Sequence, residues 1–168
     1  MATSNVQLIE LGKFYKLNLY PPICKNELEG MVPMDMSYII NLQDSDDGGG
    51  THWVSLKVLG NQACYFDSFG CVPPPIVSAF VKRRRGCKMV YNRFIIQDLK
   101  SERCGLFALA CLLYLATHKN DDLFFNYNNF INGFDENTLI NDMVLKSFYR
   151  QYFGEKIPPL IKKFIESK

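Results

Sequence analysis

Three side chains of this 168-residue sequence have the types and positions that thiol chemistry requires. His52 begins an apolar segment, Asp67 ends the next one, and Cys104 precedes Gly105 at the start of a long apolar stretch. A carboxylate beside a histidine fixes the ring tautomer and stabilises the charged ring, as a general base requires. A thiol at a helix N-terminus ionises more easily because the N–H groups there carry partial positive charge. The three residues together predict acyl transfer through a cysteine nucleophile.

The pairing of His52 with Asp67 depends on a predicted hairpin. Residues 51–58 and 63–66 are β-rich, and Gly60–Asn61 is typical of a two-residue turn between them. This register puts His52 diagonal to Asp67 on one face of the sheet, and diagonal neighbours about 7–8 Å apart can join an imidazole to a carboxylate. A histidine at a strand start is by itself more often an ordinary surface or core residue. The pair indicates a catalytic site only when it is considered together with Cys104.

A fourth residue, Gln97, lies seven positions before Cys104. Its side-chain amide and the backbone N–H of Cys104 predict an oxyanion hole. His118 is excluded as the base, because fourteen residues along one helix place it about 21 Å from Cys104. No basic partner can be named for the five other cysteines, and a cysteine at a helix start with no such partners would be interpreted as core packing.

Composition limits the class of protein. With 48% hydrophobic residues the chain is predicted to fold as one domain, residues 1–168. A net charge of +2 excludes a strongly basic nucleic-acid coat protein. We expect no membrane span and no secretory signal. Six cysteines without a Cys-x-x-Cys pair and only two histidines favour free thiols in a reducing compartment, with no metal and no cofactor.

The elements that must position these residues are strands first and helices last, which favours an α+β fold. The sequence predicts an initial helix running into an extended segment, a polar loop at 44–50, and a buried helix that begins at Cys104. Besides the hairpin, the predicted strands are Ser37–Leu42, Lys88–Tyr91 and Phe94–Gln97. The predicted helices are Ile76–Lys82, Cys104–Thr117, Asp121–Phe130, Leu139–Phe153 and a last one that Pro158–Pro159 opens through Ile165.

The motif series resembles that of adenain-type cysteine proteases. Its parts are Gly-Gly-Thr-His52-Trp53-Val, then Tyr-Phe-Asp67-Ser-Phe-Gly, then Gln97, then Ser-Glu-Arg-Cys104-Gly-Leu-Phe. This family comprises the adenovirus maturation protease and its relatives in virophages, polintons and large DNA viruses, and its wider clan includes the ubiquitin-like-protein proteases. Order and spacing match from about Tyr38 to Leu115, under half of the chain.

The resemblance implies a papain-like or adenain-like fold, a central mixed β-sheet flanked by helices with the catalytic cysteine at the N-terminus of a buried helix. It implies His52 as general base and acid, Asp67 as its orienting partner, Cys104 as nucleophile and Gln97 in the oxyanion hole. Trp53 flanks this site, with core packing and shielding of the imidazole as joint interpretations. The adenovirus enzyme has glutamate at the acid position, so Asp67 follows the ubiquitin-like-protease variant.

The function implied by the resemblance is a cysteine endopeptidase that processes capsid precursor proteins during virion maturation, at Gly-Gly-x-type sites. Such an enzyme would work as a monomer in the virion or the viral factory. Two alternatives stay open. One is a protease that removes ubiquitin-like modifiers from conjugates, and the other is an inactive relative that binds DNA or capsid protein.

One basic run, Lys82, Arg83, Arg84 and Arg85, supplies the net positive charge. It is a candidate DNA contact, since basic clusters neutralise phosphates. The same residues would also be explained as a solvated helix end, where cations complement the helix dipole, or as a nuclear address.

Overall fold

The computed structural model describes residues 2–47, 52–119, 122–152 and 156–168. A five-stranded sheet with the spatial order β1-β2-β3-β4-β5 forms the centre of the fold. The strands are β1 (Ile23–Cys24), β2 (Met36–Asn41), β3 (Trp53–Leu59), β4 (Gln62–Phe66) and β5 (Lys88–Tyr91). The two outer pairs, β1–β2 and β4–β5, are parallel and the two inner pairs are antiparallel, so the sheet is mixed.

The turn between β3 and β4 fixes the register that the site needs. Leu59 pairs with Gln62, which leaves Gly60 and Asn61 as the two-residue turn. Gly60 has φ +60°, a conformation that glycine adopts without the steric cost of a Cβ. The predicted hairpin and its register are therefore confirmed.

Six helices of the described part of the chain surround the sheet. They are α1 (Asn5–Phe14), α2 (Pro75–Lys82), α3 (Cys104–Thr117), α4 (Leu123–Asn132), α5 (Asn141–Tyr152) and α6 (Pro159–Glu166), with short 3₁₀ turns at Lys25–Leu28 and Thr138–Ile140. Every residue of α3 from Cys104 to Leu115 is buried, as its uniformly apolar sequence predicts.

Each face of the sheet buries its own core, because successive strand residues alternate between faces. Ile39, Trp53 and Phe66 pack with α3 and the helices around it. The opposite face, which includes Tyr38 and Leu56, packs against α2. The result is an α+β architecture in which α3 lies between the sheet and the C-terminal helices, as expected from the order of the elements.

One local prediction is wrong, and one short strand was missed. Residues 94–97 do not form a strand; the N–H groups of Ile96 and Gln97 both donate to the carbonyl of Ser68, at 2.9 Å, so the segment cannot enter a regular ladder. The two-residue strand β1 was not predicted. Some predicted features lie outside the described residues. They are the glycines of the 44–50 loop, the strand start at Thr51, the helix start at Asp121 and the helix end at Phe153. None of the helices described has the length and apolar character that spanning a bilayer requires.

Candidate active site

The hairpin brings His52 and Asp67 into contact. His52 directly precedes β3 and Asp67 directly follows β4. His52 Nε2 lies 2.7 Å from Asp67 Oδ1. The Asp67 side chain is 1% exposed and that of His52 is 16% exposed. The diagonal arrangement expected from the hairpin is present, and it forms a carboxylate–imidazole pair shielded from solvent.

The surroundings of His52 favour its charged form. Burial acts to lower the pKa of the imidazole, but the hydrogen bond that it donates to Asp67 and the interaction with Cys104 together outweigh burial and raise the pKa to about 9. Nε2 is engaged by Asp67, and Nδ1 is buried without a hydrogen bond to another polar atom. Nδ1 is therefore the ring atom left for the thiol, and a charged ring at neutral pH would stabilise a thiolate.

Phe69 contributes to the pair in two ways. Its backbone N–H donates to Asp67 Oδ1 at 2.8 Å. Its ring stacks on the His52 imidazole, with centroids 4.8 Å apart and planes 24° apart. Phe69 therefore orients both the carboxylate and the ring. The sequence contained it within the Asp67-to-Gly70 motif, but nothing in its type indicated this role.

Cys104 is the first residue of α3 and is 5% exposed. Arg103 precedes the helix without providing a side-chain cap. The first N–H groups of α3 are therefore left without a side-chain cap, at the positive end of the helix dipole. The predicted position of this cysteine at a buried helix N-terminus is the one observed.

Trp53 lies beside Gly105, the residue that follows the predicted nucleophile. Its indole Nε1 donates to the carbonyl of Thr3 at 2.9 Å, and the residue is 6% exposed. A Cβ added at Gly105 would lie 3.3 Å from the Trp53 ring and 3.0 Å from Thr3 Cβ. Trp53 thus packs against the start of α3, and the aromatic ring stacked on the imidazole is that of Phe69.

Gln97 is buried and held at both ends of its amide. Ser68 Oγ donates to Gln97 Oε1 at 2.6 Å, and Gln97 Nε2 donates to the carbonyl of Ser101 at 2.6 Å. Nε2 carries a second N–H, because a side-chain amide nitrogen has two donors. Ser68 therefore fixes which end of the amide faces the loop before Cys104, an arrangement suited to an oxyanion hole.

Asn92 is a site residue that sequence reasoning missed. Its Oδ1 accepts from the backbone N–H of Asp67 at 3.0 Å, and its Nδ2 donates to the carbonyl of Asp67 at 2.6 Å. Asn92 is 4% exposed and follows Tyr91, the last residue of β5. Its side-chain amide continues the β4–β5 pairing by one position and holds the backbone of Asp67 in place.

The other chemical candidates lie away from this site or are unsuited to it. All six cysteines are unpaired. Burial raises the pKa of the Cys64 and Cys111 thiols, so both remain protonated. His118 caps the far end of α3 and stacks on Tyr114, with ring centroids 3.9 Å apart. Within the described residues, no three His, Cys, Asp or Glu side chains come together as a metal site.

The basic run is divided in the structure. Arg83 donates to the carbonyls of Met31 and Leu28, at 2.5 and 2.6 Å. Arg84 forms a 2.5 Å ion pair with Asp35. Lys82 and Arg85 are exposed at the end of α2. Two of the four cations thus fasten α2 to the loop before β2, which agrees with a structural use of this part of the run.

Comparison with known proteins shows which fold this chain shares. No protein-family model and no curated protein matches the sequence. A structure of the ASFV pS273R protease matches 89% of this chain with a TM-score of 0.50 and 17% sequence identity. The chain therefore shares its fold with that protease. The papain-like or adenain-like architecture expected from the motifs is confirmed.

Two further matches have lower TM-scores. A selenomethionine form of the ASFV pS273R protease covers 74% of this chain and 46% of its own, with a TM-score of 0.44 and 20% identity. AvrA delL154 with IP6 and CoA covers 96% of this chain and 68% of its own, with a TM-score of 0.43 and 17% identity. In the match at TM-score 0.50, this chain spans 64% of the ASFV protease chain.

Proposed function

We propose that this chain is a cysteine endopeptidase with a His52–Asp67–Cys104 triad. The observation that carries the proposal is the buried His52–Asp67 pair, 2.7 Å apart, acting together with a cysteine at the N-terminus of α3. The raised pKa of His52 supports a thiolate–imidazolium pair at neutral pH. The viral cysteine protease fold supports the same reaction class.

In the proposed reaction the Cys104 thiolate attacks the carbonyl carbon of the scissile peptide bond. The second N–H of Gln97 Nε2 and the backbone N–H of Cys104 stabilise the resulting oxyanion. Protonated His52 gives its proton to the leaving amine, which releases the first product and leaves a thioester on Cys104. His52 then takes a proton from water, and the hydroxide releases the second product. Asp67 keeps the ring oriented throughout.

The proposed substrates are viral capsid precursors cut at Gly-Gly-x-type sites during virion maturation, in the particle or the viral factory. The resemblance of the motif series to adenain-type proteases supports this assignment. The small exposure of Cys104, 5%, bears only on the preference for glycine. A polypeptide reaching so covered a sulfur has little room for side chains next to the scissile bond, which favours glycine there.

Thiol labelling tests the nucleophile. We expect iodoacetamide near pH 6 to alkylate Cys104 much faster than Cys71, although Cys71 is exposed and Cys104 is buried. Peptide mass spectrometry measures both rates in one sample, so Cys71 serves as the internal reference. His52→Ala should slow labelling of Cys104 and leave that of Cys71 unchanged. Slow, uniform labelling of all six cysteines would refute the proposal and favour the inactive relative.

Mapping of new N-termini tests the substrate class. Candidate capsid precursors and conjugates of ubiquitin-like modifiers are incubated with the wild type, with Cys104→Ala and with Cys71→Ala as the matched control. We expect the wild type and the control alone to cut capsid precursors after Gly-Gly at Gly-Gly-x-type sites. Faster cleavage of the modifier conjugates would favour the alternative, a protease of ubiquitin-like modifiers.

We also propose a DNA contact through the basic run, in a protein that acts as a monomer. Lys82 and Arg85 are the cations that point to this role, because Arg83 and Arg84 are engaged within the chain. Lys82→Ala/Arg85→Ala should weaken binding to duplex DNA and reduce its salt dependence. An unchanged salt dependence would exclude the DNA contact and favour the alternative, in which these cations form a solvated helix end.

A further inference from the structure

The C-terminal end of α3 borders a pocket of about 660 Å³ that the proposed reaction does not use. Leu113, at this end of the helix, lies nine positions along α3 from Cys104, about 14 Å at 1.5 Å per residue. Leucines from several elements form one wall of the pocket, and Lys16, Lys57 and Lys119 also line it. Its volume suits a small organic ligand, since such sites span about 300–1,000 Å³.

No carboxylate lines this pocket among the described residues. Asp35, the acid that acts on Lys57, is ion-paired to Arg84 at 2.5 Å and accepts from the backbone N–H of Gly60 at 2.9 Å. Asp122, beside the lining residue Leu123, accepts from Gln62 and from the first N–H groups of α4. Both acids described near the pocket therefore form their hydrogen bonds and ion pairs with other groups, although Asp35 still favours the charged form of Lys57.

Lys57 is the least expected of these cations. It lies in β3 two residues from Ser55, which is buried, so it is on the face of the sheet that packs on α3. The residue is half-buried, and its ammonium makes no hydrogen bond or ion pair with any residue described here. Burial lowers the pKa of Lys57; Asp35 opposes this effect and Lys119 adds to it. A half-buried ammonium with a second lysine lining the same pocket creates a site that an anion would stabilise.

Lys16 gives a second, independent observation. Its φ is +55°, and among the described residues no other non-glycine residue has a positive φ. Leu17 N–H donates to Gly12 O at 2.9 Å and Lys16 N–H to Lys13 O at 3.1 Å, which is the Schellman ending of α1. Glycine is the residue favoured at this position. A lysine that accepts backbone strain at the rim of a basic pocket points to a use for its side chain.

We propose that this pocket binds a small organic molecule bearing phosphate groups. The phosphates would contact Lys16, Lys57 and Lys119, and the apolar part of the ligand would lie on the leucine wall. Charge-assisted hydrogen bonds to phosphate oxygens would supply the partner that the Lys57 ammonium lacks. The site lies at the opposite end of α3 from Cys104 and does not depend on the proposed protease activity.

Calorimetric titration of the full chain with inorganic tripolyphosphate and with adenosine triphosphate tests the proposal. We expect both probes to bind, the nucleotide more tightly because it also covers the leucine wall. Lys57→Met should weaken tripolyphosphate binding at least tenfold. Lys88→Met, which removes an exposed lysine on β5, should leave it unchanged. Equal losses from the two variants, or no binding by the wild type, would overturn the proposal.

Lys16→Gly adds a test that a purely structural role cannot imitate. Glycine removes the strain at φ +55°, so the melting temperature without ligand should rise by about 2–4 °C. The same substitution should weaken tripolyphosphate binding several-fold. A higher melting temperature with unchanged affinity would remove Lys16 from the site, and with it the argument from strain.

Discussion

Replacing Asn92 with alanine tests how Asp67 is positioned. The substitution removes both hydrogen bonds to the Asp67 backbone, at 3.0 and 2.6 Å, in a place where Asn92 is only 4% exposed. Each of the two buried backbone groups left without a partner costs about 1–3 kcal/mol, so the free energy of unfolding should fall by about 2–6 kcal/mol. Urea denaturation measures that loss.

The same change should alter the chemistry of His52. Once the backbone of Asp67 is no longer held, its carboxylate can move from Nε2, and the pKa of His52 should fall from about 9 toward its ordinary value. Alkylation of Cys104, followed against pH, reports this change, because the charged pair is lost at a lower pH when the pKa of the ring falls. We expect the basic limb of that profile to move down by about one pH unit, equivalent to 1.4 kcal/mol.

Asn126→Ala is the matched control for this experiment. Asn126 is also a buried asparagine, and its Nδ2 donates to the carbonyl of His118 at the far end of α3. Its loss should lower stability and leave the pH profile of Cys104 unchanged. If Asn92→Ala lowers stability as calculated but keeps the profile of the wild type, Asn92 stabilises the fold without positioning the acid, and our reasoning on Asp67 is wrong.

Three further predictions concern the same loop. The charged His52 ring, with its pKa of about 9, adds stability that is complete below about pH 6.5 and is lost as the pH rises through 9. Urea denaturation at several pH values measures this loss, and Asp67→Asn should abolish most of it. Phe69→Ala removes the ring stacked 4.8 Å from His52, so it should destabilise the fold by at least about 0.5–1.5 kcal/mol and slow the alkylation of Cys104. Phe94 is an exposed phenylalanine, and an equal effect from Phe94→Ala would refute the role of the stacking. Gly70→Ala would place a Cβ 2.5 Å from the Phe94 backbone, whereas Gly30 has a similar φ and open space around it. Gly70→Ala should therefore lower the free energy of unfolding by about 1–3 kcal/mol more than Gly30→Ala does. Equal losses of stability in thermal denaturation would contradict the predicted clash.

The sequence was sufficient for the parts of the site that depend on local rules. A two-residue turn at Gly60–Asn61 determines the register of the whole hairpin, and that register sets His52 diagonal to Asp67. A segment as uniformly apolar as α3 can only be a buried helix, so the position of Cys104 at its N-terminus also followed from the residues. Neither inference needed a contact between distant parts of the chain.

The parts that could not be predicted depend on such distant contacts. Residues 94–97 have the apolar character of a strand, but Ile96 and Gln97 give their N–H groups to Ser68, and the backbone of Phe94 lies against Gly70. No pattern within that segment records this. Asn92 is likewise an ordinary polar residue at a strand end until the fold brings it beside Asp67, twenty-five positions earlier.

The contacts around the site explain why its members need so many distant partners. Asp67 is held by Asn92 and Phe69, and Gln97 by Ser68 and Ser101, without help from Cys104. A thiolate–imidazolium pair has to be ready before a substrate arrives, so its geometry cannot depend on contacts that a substrate would supply. Side-chain hydrogen bonds between separate segments meet that requirement, because each positions one group while leaving the sulfur free to react. The residues that set reactivity here are therefore expected among buried polar side chains that never touch the substrate.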